Sequence, residues 1–426
     1  MPKSLPPERS PVLPATAALH TVGHMARPIS PRALTILAFL AFVSLGLPDT
    51  LLGVAWPSIR DSFGRHTSDL GLMLGSGALG YLASSFLGGE ILRRHGMARL
   101  LIGSTVLVGV ALAGIALSPF WPALIVLSFV SGLSAGAIDA GINTFAAARF
   151  SPRVVNWLHA CWGIGASVSP LLMTAVIQGG RSWRVGYAAI AGFMVIMFLL
   201  FVRSRDLWRV DAAEADQATG GAARSATIGE ALRQPVVLAQ MLFYFVYAGV
   251  EVGAGVWLYT LLREGRGEAH AIAGTVVGGY WAALTVGRIV FGQVAAHLSH
   301  LAVIRTGLIG SVIAIVLIWL PLPRGLGFAG ILLLGFMLAP IFPTVISDTP
   351  LRVGAYFAPQ AIGFQVSGAA VGIATLPGVI GLIAQRSGIG VLPICLLALA
   401  IALLALHEVI VLAASARARS AAPATA

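Results

Sequence analysis

Leu45–Pro57 reads LGLPDTLLGVAWP, and both the fold and the chemistry turn on it. Asp49 is the one acid between Ala33 and Trp56, in a stretch otherwise apolar and long enough to span a bilayer. A charged carboxylate at the bilayer centre costs about 2.5–3.5 kcal/mol on insertion scales, so such a residue faces a protein interior or a watery pathway. Gly46 and Pro48 precede it and predict an interruption of the helix that would free backbone groups for a ligand or ion. The plainer alternative is a protonated acid satisfied by neighbouring helices.

Apolar runs of about 20 residues recur along the chain, each sufficient for a hydrocarbon core of about 30 Å. They are Ala33–Trp56, Leu70–Leu87, Leu100–Leu117, Pro122–Phe145, Val155–Ile177 and Val185–Val202, then Val236–Leu261, Ile272–Phe291, Ala302–Leu320, Phe328–Ile346, Ala361–Ala384 and Ile389–Ala413. With 58% hydrophobic and 10% charged residues, the chain is not a water-soluble globule. The runs lack the period-two alternation of a membrane barrel, so the fold class is an all-α integral membrane bundle of twelve transmembrane helices.

The net charge of +11 is placed in a way that argues against nucleic acid. With the amino terminus in the cytoplasm, eighteen basic residues fall in inner loops and tails against eight in outer ones. That asymmetry orients membrane helices and places both termini inside. Residues 1–32 are Pro-rich without the hydrophobic region of a signal peptide and read as a disordered cytoplasmic tail. The expected organisation continues with a six-helix bundle over 33–202, a cytoplasmic central loop over 203–235, a second six-helix bundle over 236–413, and a tail over 414–426. Two halves around a polar loop are the signature of a transporter built from a repeat. Asp49 and Glu251 each lie about fifteen residues into the first span of their half, as such a repeat requires. Cys161 and Cys395 lie in separate apolar spans and imply neither a disulfide framework nor a metal site. No phosphate-binding or dinucleotide motif is present, so no cofactor is expected.

Few acids lie deep in spans: Asp49 in span one, Asp139 in span four and Glu251 in span seven. Asn143 follows Asp139 by four residues on the same helical face, pairing a proton acceptor with an amide. An interhelical hydrogen bond is the structural alternative. His159 in span five could relay protons, since imidazole titrates near neutrality, or pack neutral against a carbonyl. Tyr244, Tyr247 and Trp257 flank Glu251, as aromatics that hold a sugar ring or as ordinary bundle packing. Asn156, Trp281 and Gln365 complete the candidate substrate-binding set with Asp49, Asn143, His159, Tyr247, Glu251 and Trp257. Arg288 is the one cation within a span, expected to snorkel or to latch a gate with an inner-end acid such as Asp348. Glu90 and Arg94, in the loop after span two, join Arg288 and Asp348 as gating candidates.

Taken together, these stretches resemble the major facilitator superfamily, and within it the fucose permease-like branch of sugar–proton symporters. The resemblance is carried by GLPDTLLGVAWPSIRDSFG in span one, DAGINTF in span four, NWLHACWGIGASVSPLL in span five, YAGVEVGAGVW in span seven and APIFPT in span ten. It implies that the acids matching Asp49 and Asp139 couple protons and touch substrate, and that Asn143 matches the amide beside the second. It also implies that spans one, four, seven and ten line a central cavity. Arg93 stands where the superfamily's loop motif has an acid, and Trp157-Leu158-His159 replaces an amide-rich stretch of fucose permease.

The expected function is therefore proton-coupled alternating access for a small polar solute, foremost a sugar, in a bacterial cytoplasmic membrane. Burial disfavours a carboxylate's charged form, so proton binding at Asp49 and Asp139 would lower the cost of rocking between states. Sodium in place of protons and drug efflux on the same fold are the alternatives. An enzyme is not expected, because the polar residues are deep and dispersed. The partners expected are a small-molecule substrate, protons, the lipid bilayer and no nucleic acid, for a chain acting as a monomer.

Overall fold

Long apolar runs can satisfy their backbone in lipid only as helices, and every long element of the computed structural model is one. The structure describes residues 31–150, 152–208, 226–294, 298–354 and 356–421, with the side chains of 85–93, 152–153, 155–156 and 413–421 among those left out. The expected tails and most of the expected central loop lie outside the described residues.

The first half contains α1 (Pro31–Phe63), α2 (Leu70–Leu117), α3 (Trp121–Arg149), α4 (Pro152–Gln178) and α5 (Trp183–Arg203). Gly96, at φ +76°, bends α2 into two arms, so this helix accounts for two expected spans. A short α6 (Ile228–Leu232) precedes the second half. That half contains α7 (Pro235–Thr260), α8 (His270–Val294), α9 (His300–Trp319), α10 (Arg324–Leu338), α11 (Ile341–Val353), α12 (Ala358–Ser387) and α13 (Leu392–Ala421). Helices α10 and α11 are one span broken at Ala339-Pro340. Eleven helices among the described residues are long and apolar enough to cross a membrane. The twelfth expected span is the first arm of α2.

The repeat foreseen from the acids is visible in the packing. In the first half α1 lies along α4; in the second, α7 lies along α12 in the same relation. The halves meet through α1 with α7, the first arm of α2 with α12, and α4 with α8. Small residues carry these meetings, since lipid-embedded helices gain from close backbone approach rather than from water exclusion. Gly71 and Gly378 face each other, and a Cβ on Gly53 would press against the Val256 backbone.

Twelve crossings bring both ends of the bundle to one face, the terminus face; the opposite one is the far face. The far face is latched between halves. Arg60 on α1 donates to Glu264 after α7 at 3.0 and 3.2 Å, and Ser68 donates to Gln385 of α12 at 2.8 Å. Toward the terminus face, Asp49 and His159 are exposed. The bundle is thus closed at the far face and open toward the termini.

One expectation is corrected here. Pro48 does not interrupt α1, which is helical from Pro31 to Phe63. Gly46 serves close packing instead: a Cβ there would collide with the Trp162 carbonyl oxygen on α4. The α10–α11 break falls in the second half, and aromatic side chains of α7 donate to backbone carbonyls near it and near Pro377. Tyr247 donates to Leu338 O at 3.2 Å, and Tyr244 donates to Phe342 O at 2.6 Å. At the proline inside α12, Trp257 Nε1 donates to Pro377 O at 2.9 Å.

Candidate functional site

The centre of the molecule is built where α1, α4 and α8 touch. Gly46 and Gly165 let α1 and α4 approach backbone to backbone, and Thr50 Oγ1 locks the register by donating to Ala166 O at 2.7 Å. This register delivers the Trp162 indole to Asp49, whose Oδ2 accepts from Nε1 at 2.9 Å. On its other side α4 meets α8 with Gly163 directly against Thr285. The face of the Trp162 ring lies 5.4 Å from the Arg288 guanidinium, and its edge meets Trp281 at 6.0 Å between centroids.

Arg288 in turn donates from Nη2 to Glu251 Oε1 at 3.4 Å. Glu251 is 7% exposed, and its backbone carbonyl accepts from Tyr280 at 2.8 Å. A buried acid so deep would be costly alone; the guanidinium compensates its charge. The expected latch between Arg288 and Asp348 is therefore not what forms. Asp348 sits at the terminus end of α11, beside His300 Nδ1 at 3.2 Å and in contact with Arg352 Nε. Geometry separates the two because Arg288 lies two turns after Trp281 on α8, turned toward the bundle centre rather than its end.

A second cluster forms on α3. Asp139 Oδ2 accepts from Tyr81 of the first α2 arm at 2.6 Å, and its Oδ1 accepts from Asn143 at 2.9 Å. Asp139 and Asn143 are half-buried. His159, one turn before Trp162 on α4, packs its ring edge-on against Phe42 at 5.2 Å and is exposed to the opening. Asp49, Asp139 and His159 thus belong to one region, with Trp162 connecting it to the Arg288–Glu251 pair.

Other candidates are placed elsewhere. Tyr247 and Trp257 are buried and hold the broken spans of the second half. Gln365 is fully buried, donating to Gln240 at 2.9 Å and to Thr349 at 2.8 Å, a polar knot that ties α7, α11 and α12. Trp281 is 4% exposed and lines the centre only through its edge contact with Trp162. Arg94 is exposed at the terminus face, and the side chains of Asn156 and Glu90 lie outside the described residues. Trp162 and Tyr81 are functional candidates that sequence reasoning missed. For Trp162 the one sequence cue is its place one turn after His159 and next to Gly163. Nothing local marks Tyr81. Among the described residues, no group of three or more His, Cys, Asp or Glu could hold a metal ion.

Residues 35–377 match the sequence profile of the Major Facilitator Superfamily. The glucose/mannose transporter GlcP of Bacillus subtilis is 23% identical over 333 residues, covering 76% of this chain and 82% of that protein. The cis,cis-muconate transport protein of Acinetobacter baylyi is 26% identical over 368 residues, covering 79% and 88%. Among solved structures, a variant of the nucleoside transporter NupG superposes with a TM-score of 0.74 at 13% identity, over 89% of this chain and 99% of that one.

Proposed function

Because the chain belongs to the Major Facilitator Superfamily, we propose that it is a secondary transporter that moves a small polar solute by proton-coupled alternating access. The coarse part stands on the family itself: this is a multi-pass membrane transporter of small solutes and not an enzyme. The finer part rests on one observation. Asp49 is an acid at mid-membrane depth that faces the opening, receives a neutral N–H donor, and forms no ion pair among the described residues. Such a group can take up and release a proton at modest cost, whereas Glu251, bound to Arg288, cannot lose its charge without stranding the guanidinium.

The cycle then follows from charge. Ionised Asp49 resists the closure that would remove water from it; a proton relieves that cost and lets the halves rock. Asp139, held by Tyr81 and Asn143, is the second proton acceptor. The far-face latch of Arg60 with Glu264 must part for the opposite opening to form. Both termini are read as cytoplasmic in a bacterial inner membrane, from the distribution of basic residues.

A sugar is the first reading of the solute, supported by the glucose/mannose relative and by the aromatic and carboxylate lining. A small organic anion is the second, favoured by Arg288, which has one hydrogen bond to Glu251 and whose side chain is 24% exposed. Uptake into proteoliposomes separates these readings: D-glucose, D-glucuronate and cis,cis-muconate are offered under an imposed proton or sodium gradient. Accumulation of one of them under the proton gradient alone supports the proposal. Accumulation driven by sodium alone, or efflux of apolar dyes with no uptake of these solutes, overturns it.

A further inference from the structure

Trp162 occupies a position for which alternating access gives no reason in itself. Its N–H is spent on Asp49 of the first half, at 2.9 Å. Its π face is spent on Arg288 of the second half, at 5.4 Å, and Arg288 carries Glu251 at 3.4 Å. Four side chains from α1, α4, α8 and α7 thus form one chain of contacts from acid to acid across the interface between halves. Two glycines clamp the residue that joins them, since a Cβ on Gly46 would strike the Trp162 carbonyl and one on Gly163 would strike Thr285. The stretch of α4 backbone that carries the indole is thereby held between α1 and α8.

We propose that Trp162 is the positioning residue that transmits the protonation state of Asp49 to the Arg288–Glu251 pair, and so to the other half of the transporter. The inference rests on the reading of Asp49 as the proton switch. Its physics is simple. An indole N–H can only donate, and it donates more strongly to a carboxylate than to a carboxylic acid. A proton on Asp49 therefore slackens the grip on the ring. The same ring holds Arg288 by its negative face, an attraction that depends on the ring's placement over the cation. Slackening one contact loosens the other, and the pair in the second half is freed to rearrange.

The other titratable or charged groups facing this centre are Tyr81 on the first α2 arm, Asp139 on α3, His159 on α4, Tyr247 on α7 and Tyr280 on α8. Tyr81 and Asp139 are committed to each other at 2.6 Å, and His159 leans on Phe42. Tyr247 and Tyr280 donate to the backbone carbonyls of Leu338 and Glu251. None of these touches the Trp162 face that holds Arg288 in the contacts described.

A double-mutant cycle on the conformational equilibrium tests this without a transported solute. Spin labels go on Arg99→Cys of the first half and Leu351→Cys of the second, both exposed near the terminus face, with Cys161 and Cys395 replaced by alanine. Distances are measured in full-length protein in nanodiscs at neutral pH, where Asp49→Asn imitates the protonated acid. With Trp162 present, Asp49→Asn should shift the population away from the terminus-open arrangement by about tenfold, the change that one charge-assisted hydrogen bond sustains. In a Trp162→Phe background, which keeps a ring but removes the N–H, the shift should shrink to about twofold or less. A purely packing role for Trp162 would move both backgrounds alike and leave the Asp49→Asn shift intact; that result overturns the inference. If Asp49→Asn shifts nothing with Trp162 present, the Asp49 switch and this inference fall together. Should Trp162→Phe fail to fold, the cycle is run in an Arg288→Gln, Glu251→Gln background, which leaves no buried charge unpaired and where an additive result is equally fatal.

Discussion

The two halves solve the same problem, an acid in the first span of each repeat, in opposite ways. Glu251 on α7 is buried and neutralised by Arg288, and Tyr247 and Trp257 beside it donate to backbone carbonyls of neighbouring helices. Asp49 on α1 lies in an unbroken helix, faces the opening, accepts from the Trp162 indole N–H and forms no ion pair among the described residues. The pair in the second half is a compensated ion pair. On the proposed reading, the acid in the first half exchanges the proton, while the pair in the second half compensates a buried charge.

The largest effect expected from breaking this contrast is Asp49→Asn, which should abolish gradient-driven accumulation while leaving solute exchange at equilibrium. Proteoliposomes assayed in both modes check it, and an equal loss of exchange would mean that Asp49 binds solute rather than coupling it. Next in size, Arg288→Met leaves Glu251 buried without its cation, for a loss of about 3–5 kcal/mol of stability. Adding Glu251→Gln should restore most of it, as thermal unfolding in detergent would show. Were Arg288→Met as stable as the wild type, the guanidinium would not be what compensates Glu251.

Gly46→Ala sharpens the comparison from the packing side. The added methyl meets the Trp162 carbonyl, so α1 and α4 must separate, at a cost of about 1–3 kcal/mol. Trp162 should move from Asp49 with them, visible as a change in indole fluorescence that Gly103→Ala, in open space, does not produce. The far-face latch is worth less. Arg60→Ala should change stability by about 0–1 kcal/mol, because Glu264 is well exposed, yet it should ease opening at that face.

The smallest effect concerns the end of the central loop, outside the spans. There the Thr227 backbone N–H and hydroxyl, helped by Tyr356, hold Glu230 below the usual carboxylate range. A depressed acid stabilises the fold above its unfolded value, and that contribution is lost as pH falls through the folded one. Acidification below the ordinary carboxylate range should therefore loosen α6 from Tyr356, and Glu230→Gln should remove this acid sensitivity. Limited proteolysis between α5 and α7 across pH reads it directly.

The architecture was legible because hydrophobic length in a bilayer admits few solutions. Twelve apolar runs and a polar divide lead to twelve crossings in two halves, and the repeat survives in the matched pairing of α1 with α4 and α7 with α12. The acids were legible for the same reason, since a carboxylate in a span needs a cause. Helix breaks were not. Pro48 suggested one, but a proline tolerated within α1 and one at the α10–α11 break look alike until neighbouring hydroxyls are placed. Arg288 was assigned to the wrong acid because sequence gives depth along a helix and not the direction of the side chain. Trp162 escaped because a tryptophan in an apolar span looks like packing; only its two partners, on α1 and α8, give it meaning.

The central claim is that solute and proton cross together, and the direct measurement is proton movement itself. De-energised cells expressing the protein receive a pulse of whichever of D-glucose, D-glucuronate and cis,cis-muconate the uptake assay selects, in weakly buffered medium, while external pH is recorded. A transient alkalinisation that matches solute entry and vanishes in Asp49→Asn is expected. Solute entry with no change in external pH, or one unaltered by Asp49→Asn, would contradict the claim.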